Sequence, residues 1–206
     1  GEKILINNTG MTVNEDSADL DFRVESNGNA NMLFVDGGND VVGIKVVPSA
    51  WSGDSGVIQV GNSSVANFSN GAYFTANSFF DGSNNRYIAS DEASRYYQAS
   101  GIHIWQTAAA GTAGDAISFS EEMRLTAAGL LGLGTSSPAD TNGFGNALDI
   151  QSATGAALYL RESDATSNYG LVGADQNRLY LHHQGEVVVR TGGANTRMTI
   201  DSSGNV

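Results

Sequence analysis

Hydrophobic positions recur with a period of two in short bursts. Leu20, Phe22 and Val24 alternate with Asp21, Arg23 and Glu25, and Leu148 and Ile150 flank Asp149. Such alternation predicts half-buried strands. Further bursts lie at 32–35, 41–47, 57–60, 103–105, 158–160, 179–181, 187–189 and 198–200. Between them stand SNGN, DGGND, GNSS, DGSNN, SATG, TGGAN and DSSGN. These are turns, because Gly and Asn accept positive φ while Asp and Ser bond their own backbone. Only Ser90 to Gln98 predicts a short helix, with Ser90 or Asp91 as N-cap and acidic residues in its first turn. The chain is expected to be all-β.

One phrase repeats: strand, Gly/Asn turn, second strand, Gly-aliphatic, then proline. It reads MLFVDGGNDVVGIKVVP at 32–48 and MRLTAAGLLGLGTSSP at 123–138, and RMTIDSSGNV at 197–206 begins a third copy. Past Pro48 and Pro138 a common offset lays Ile58 on Leu148, Val60 on Ile150 and Phe68 on Leu158. Three modules are therefore expected: 1–48, an N-terminal β shaft; 49–138, a knob; and 139–206, a C-terminal β module truncated mid-repeat. Most of the aromatic residues fall in the middle one, which alone has the bulk for a globular knob.

Charge and composition narrow the function. The 206 residues carry formal charge -12 with only Lys3 and Lys45 as lysines, so no basic stripe exists to neutralise phosphates. Nucleic acid is not an expected partner. No apolar run reaches the length of a membrane helix, and membrane insertion is not expected. Without Cys there is neither a disulfide framework nor a thiolate metal site. Modules with short strands, many glycines and no cross-links bury too little apolar area to offset ordering costs of roughly 1–2 kcal/mol per residue. Identical copies sharing one core would supply the cover, and a homotrimer is expected.

RMTIDSSGNV, GLGTSSP and the opening NEDSADLDFRVESNGNANMLFVDGGNDVVGI resemble the repeated modules of tail fibres and related appendage proteins of tailed bacteriophages. In the first copy Lys45 stands where that family usually has the second Gly of Gly-Ile-Gly-Thr. The resemblance implies an elongated homotrimeric fibre of short-strand β modules with a central β-rich knob. It implies an extracellular place on the virion, with other tail or fibre proteins and a host cell-surface glycan or protein as partners. A head fibre or bacterial adhesin segment, and a fragment of a polysaccharide-depolymerase tailspike, are the alternatives.

Candidate chemistry is sparse. Tyr87, Tyr96, Tyr97 and Trp105, interspersed with Arg86, Asp91 and Arg95, have the composition of a glycan-binding surface, in which aromatic faces stack on sugar C–H groups. GDSG around Ser55 is similar to the nucleophile flank of chymotrypsin-like peptidases, but no His and Asp precede it in the required order. His182 and His183, neighbours on one strand, point to opposite faces and cannot chelate one ion together. His103 would need threefold symmetry to gather ligands. DGGND at 36–40 is similar to calcium-binding glycine–aspartate turns, in a single imperfect copy. Asp91 with Glu92 and Glu121 with Glu122 are sequence neighbours, whereas glycoside hydrolysis needs carboxyls facing across a groove. The expectation is no catalytic residue, no metal and no cofactor.

Overall fold

Nearest-neighbour hairpins build almost everything. A computed structural model describes residues 4–7, 10–13, 19–52, 56–140, 143, 145–161, 169–174, 179–183, 186–192 and 195–206. Among these residues there are twenty strands and no helix. The chain forms two compact units, residues 1–148 and 149–206.

In the first unit, β1 (Ile4–Asn7) and β2 (Gly10–Val13) form a hairpin. A main sheet follows: β3 (Phe22–Ser26), β4 (Asn29–Asp36), β5 (Val41–Ile44), β6 (Gly56–Val60), β7 (Ser63–Phe68) and β8 (Gly71–Ala76). β9 (Ser78–Phe80) and β10 (Asn85–Tyr87) leave it to pair with each other. The sheet resumes with β11 (Ala93–Ala99), β12 (Ile102–Ala108), β13 (Ser120–Leu125) and β14 (Leu131–Leu133), and β15 (Leu148–Ile150), which begins at the last residue of this unit, completes eleven strands in chain order. Loops of two residues, Asn27-Gly28, Gly61-Asn62, Ser69-Asn70 and Ser100-Gly101, join four of the hairpins. Ser100 and Gly101 both take positive φ, 53° and 78°, as a tight hairpin turn requires.

Ser90–Gln98 is not a helix. Ala93–Ala99 is a central strand paired with β8 on one side and β12 on the other. Two neighbouring ladders and the alternation of Ser94, Tyr96 and Gln98 against Arg95 and Tyr97 outweigh the capping signal. Asn77 holds the residues meant for the first helical turn: its amide donates to the carbonyls of Ala89 and Glu92 and accepts from the Ala89 N–H.

The repeated phrase folds the same way twice. At the end of β5, Gly43 packs against the returning chain, where a Cβ would lie 2.3 Å from the Val46 carbonyl oxygen and 2.9 Å from Pro48. Gly132 in β14 meets Thr135 O at 2.8 Å and Pro138 at 3.2 Å in the same manner. Two residues on, Lys45 and Gly134 both occupy the left-handed region, φ 60° and 70°. Lys45 thus keeps the joint that glycine makes in the second copy. The turns of the second and third copies match as well. Thr126 N–H donates to Leu130 O and Gly129 N–H to Thr126 O, and Asp201, Gly204 and Asn205 repeat both bonds. The side chains of Thr126 and Asp201 each accept the backbone N–H four residues on.

After the first corner the chain packs Trp51 beneath the sheet and enters β6 parallel to β5. Gln59 is fully buried and fixes this crossover. Its Oε1 accepts the Trp51 Nε1–H and the Ser49 N–H, each at 2.8 Å, and its Nε2 donates to Gly61 O. Trp51, Val41, Val57 and Ala66 form the core of this region, with Phe68, Tyr73, Phe79 and Phe80 packed on it. The β9–β10 hairpin supplies Phe79 and Phe80. A second cluster joins Tyr87, Ala93 and Ala108 to Ile117 and Phe119.

In the second unit, β16 (Ala156–Arg161), β17 (Tyr169–Ala174) and β18 (Leu179–His183) form a three-stranded antiparallel sheet, and β19 (Val187–Thr191) pairs with β20 (Asn195–Ile200). Leu158, Tyr159, Leu160, Leu179 and Leu181 stand exposed on it.

Candidate functional site: the open face of the main sheet

The core occupies one face of the main sheet. Directly paired residues share a face, so the ladder registers identify what lies on the other. One row reads Phe22–Val35–Val42–Ile58–Val65–Phe74–Tyr96–Trp105–Met123–Leu133, each residue paired with the next across ten strands. Every member is apolar or aromatic. The row Ile44–Val60–Ser63–Ala76–Ser94–Thr107–Ser120 runs on one side of it and Gly56–Asn67–Ala72–Gln98–His103–Leu125–Leu131 on the other. None of these paired positions is Asp, Glu, Lys or Arg. Glu122, at the bulge where β13 slips against Trp105 and Gln106, interrupts the pattern and accepts from the Thr107 hydroxyl at 2.9 Å.

This face is open. Ile58, Val60, Val65 and Phe74 are 47–50% exposed. Together with Tyr96 and Trp105 they line a shallow groove of about 680 Å³. Its aromatic end is ordered. Tyr96 lies 4.9 Å from Trp105 and 6.1 Å from Phe74, centroid to centroid, and its hydroxyl is 2.5 Å from His103 Nδ1.

The four aromatic candidates therefore do not form one surface. Tyr96 and Trp105 sit side by side on the open face. Tyr97 points to the opposite face, stacked 4.8 Å from Tyr73, and burial pushes its pKa up. Tyr87 is 7% exposed, its ring packs against Gly111, and its hydroxyl donates to Ala109 O at 2.5 Å. Ile58, Val65 and Phe74 complete the open face without having been singled out as site residues. The signal was the cross-strand register, which a linear reading does not reveal.

The other candidates are occupied locally. Asp36 accepts the Gly38 and Asn39 N–H groups and the Asn39 amide, which accounts for DGGND as a turn. Glu121 takes both Nε and Nη2 of Arg124, at 2.7 and 2.8 Å. Asp91 accepts the Glu92 N–H. Ser55 lies outside the described residues, as do the side chains of His182 and His183. Among the described residues no group of three or more His, Asp or Glu is placed to hold a metal.

Comparison with protein-family models, with curated proteins and with solved structures finds no match.

Proposed function

We propose that this chain is a segment of a bacteriophage tail fibre or related appendage, a homotrimer that serves as spacer or host-surface adhesin and performs no covalent chemistry. The open apolar face carries the reading. Monomeric proteins seldom expose contiguous apolar patches beyond about 300–600 Å². Ten apolar residues, five exposed and five partly buried, form a row roughly 43 Å long at the usual strand spacing, a continuous strip of the kind that stable interfaces cover.

The occupant that fits best is a second copy of the chain. Each copy carries formal charge -12, so two can meet closely only where charge is absent. Apart from Glu122 at its bulge, the open face meets that condition. The mixed rows on either side place Ser63, Ser94, Thr107, Asn67 and Gln98 beside the apolar one, where they supply hydrogen-bonding groups of the kind interfaces use. The repeated corner at Gly43 and Gly132 supports the same reading, since a fibre grows by reusing one joint. Three copies, rather than two, is what the tail-fibre resemblance implies. Multiple weak receptor contacts on one particle would then raise avidity.

Two measurements on the purified chain test this. Small-angle scattering is expected to return a particle of three times the 21.4 kDa chain mass. Incubation with bacterial surface polysaccharide is expected to give retention without release of new reducing ends. Reducing-end release would instead establish a depolymerase.

A further inference from the structure

On the core side of the main sheet, Phe68, Tyr73, Phe80, Asn85 and Arg95 line a crevice of about 240 Å³ between the sheet and the β9–β10 hairpin. Arg95 is the chemically distinctive member. Its Nε donates to Gln106 Oε1 at 2.6 Å and its Nη1 to Asn85 Oδ1 at 3.2 Å, both neutral amides. The guanidinium carbon stands 4.3 Å from the Phe119 ring centroid and 5.4 Å from that of Tyr97. The fork is therefore held rigidly between two rings and two amides, and Nη2 remains for a further bond.

No described carboxylate pairs with it. Arg23, Arg86 and Arg124 each meet one, Glu25, Asp81 and Glu121 respectively. With 22 acidic residues to 10 basic, a half-buried arginine facing amides and rings but no carboxylate differs from those three. Burial accordingly pushes its pKa down. A partly desolvated cation without a counter-ion is unfavourable unless something outside the chain supplies the charge.

We propose that the crevice binds an acidic sugar, with Arg95 taking the carboxylate and the rings of Tyr73, Phe68 and Phe80 meeting the sugar's C–H face. Arginine recognises carboxylates through parallel N–H donors. Aromatic walls beside a fixed polar group are the usual makeup of a sugar subsite. The Tyr73 hydroxyl, which bonds no described residue, is available for a ring hydroxyl. The volume suits a single monosaccharide residue rather than an extended ligand. This inference rests on the adhesin reading and assigns it a ligand class.

The test is a titration of the intact chain, followed by amide chemical shifts, with sodium glucuronate, N-acetylneuraminate, glucose and sodium sulfate. Saturable binding of the two sugar acids is expected, with glucose weaker by roughly tenfold or more, the equivalent of one lost charged hydrogen-bond pair. Arg95→Gln should lose a similar factor. Arg95→Lys, which keeps the charge but not the fork, should fall between. Equal binding of glucose and glucuronate, unaltered binding by both variants, or no binding of either acid would overturn the proposal. Sulfate bound as tightly as glucuronate would also overturn it, reducing the site to one for simple anions. Sedimentation separates this from the fibre reading: a trimer indifferent to sugar acids loses only the crevice, while a monomer that binds them loses only the fibre.

Discussion

At Lys45 a lysine is held at φ 60°, where L residues other than glycine are strained. Its counterpart Gly134 shows what the joint prefers. Lys45→Gly should stabilise the chain by about 1 kcal/mol, the usual scale of a relieved left-handed residue, as read by urea denaturation. Gly43→Ala should do the reverse, because the new methyl would lie 2.3 Å from a backbone oxygen that cannot step aside. Gln59 poses the complementary case. Replacing it with Ala orphans the Trp51 indole N–H in the core and frees the part-buried Ser49 N–H, and a buried unmet donor costs about 1–3 kcal/mol. A loss of that size, with the Trp51 fluorescence shifted toward that of a solvated indole, is expected.

The turn between β9 and β10 shows how an element acquires pH sensitivity. Asp81 is pushed down to about 2 from 3.8, chiefly by its hydrogen bond from Arg86 and further by the Asn84 and Ser83 N–H groups. A depressed carboxyl contributes stability that is complete above its ordinary value and disappears as pH falls from 3.8 toward 2. Arg86→Gln should return the Asp81 titration toward the ordinary carboxylate range, a change visible in the carboxyl carbon resonance. Asp201, likewise depressed by the Asn205 amide, should titrate below an ordinary Asp for the same reason.

Much at this scale was legible beforehand. The bursts at 32–35, 57–60, 103–105, 158–160, 179–181, 187–189 and 198–200 all lie in strands, and DGGND and DSSGN are turns, because both signals are local. β7 and β8 carry no clear strand signal: Ser63, Ser64 and Asn67 dilute the apolar pattern, and pairing between β6 and β11 makes up for it. β11 was not legible because Ser90, Asp91 and Glu92 imitate a helix start, while the ladders to β8 and β12 and the bonds from the distant Asn77 decide otherwise. The aromatic cluster was recognisable by composition. Its division between two faces was not, since adjacent Tyr96 and Tyr97 look alike until the pleat separates them.

Across the whole main sheet, the consequence of register is a face that no single described copy covers. Ten strands contribute one apolar residue each to a continuous row, and the paired rows beside it contain no Asp, Glu, Lys or Arg. Such a face is unfavourable in water and becomes favourable when identical copies cover it. Val65 is the sharpest probe, because it is 49% exposed in the middle of the row and an acidic replacement there stays solvated in an isolated copy. Sedimentation equilibrium of the wild type and Val65→Asp at micromolar concentration tests the central claim most directly. The account predicts a wild-type mass of three chains and a folded, dissociated variant. A wild-type monomer that melts cooperatively, with Val65→Asp indistinguishable from it, would contradict the account.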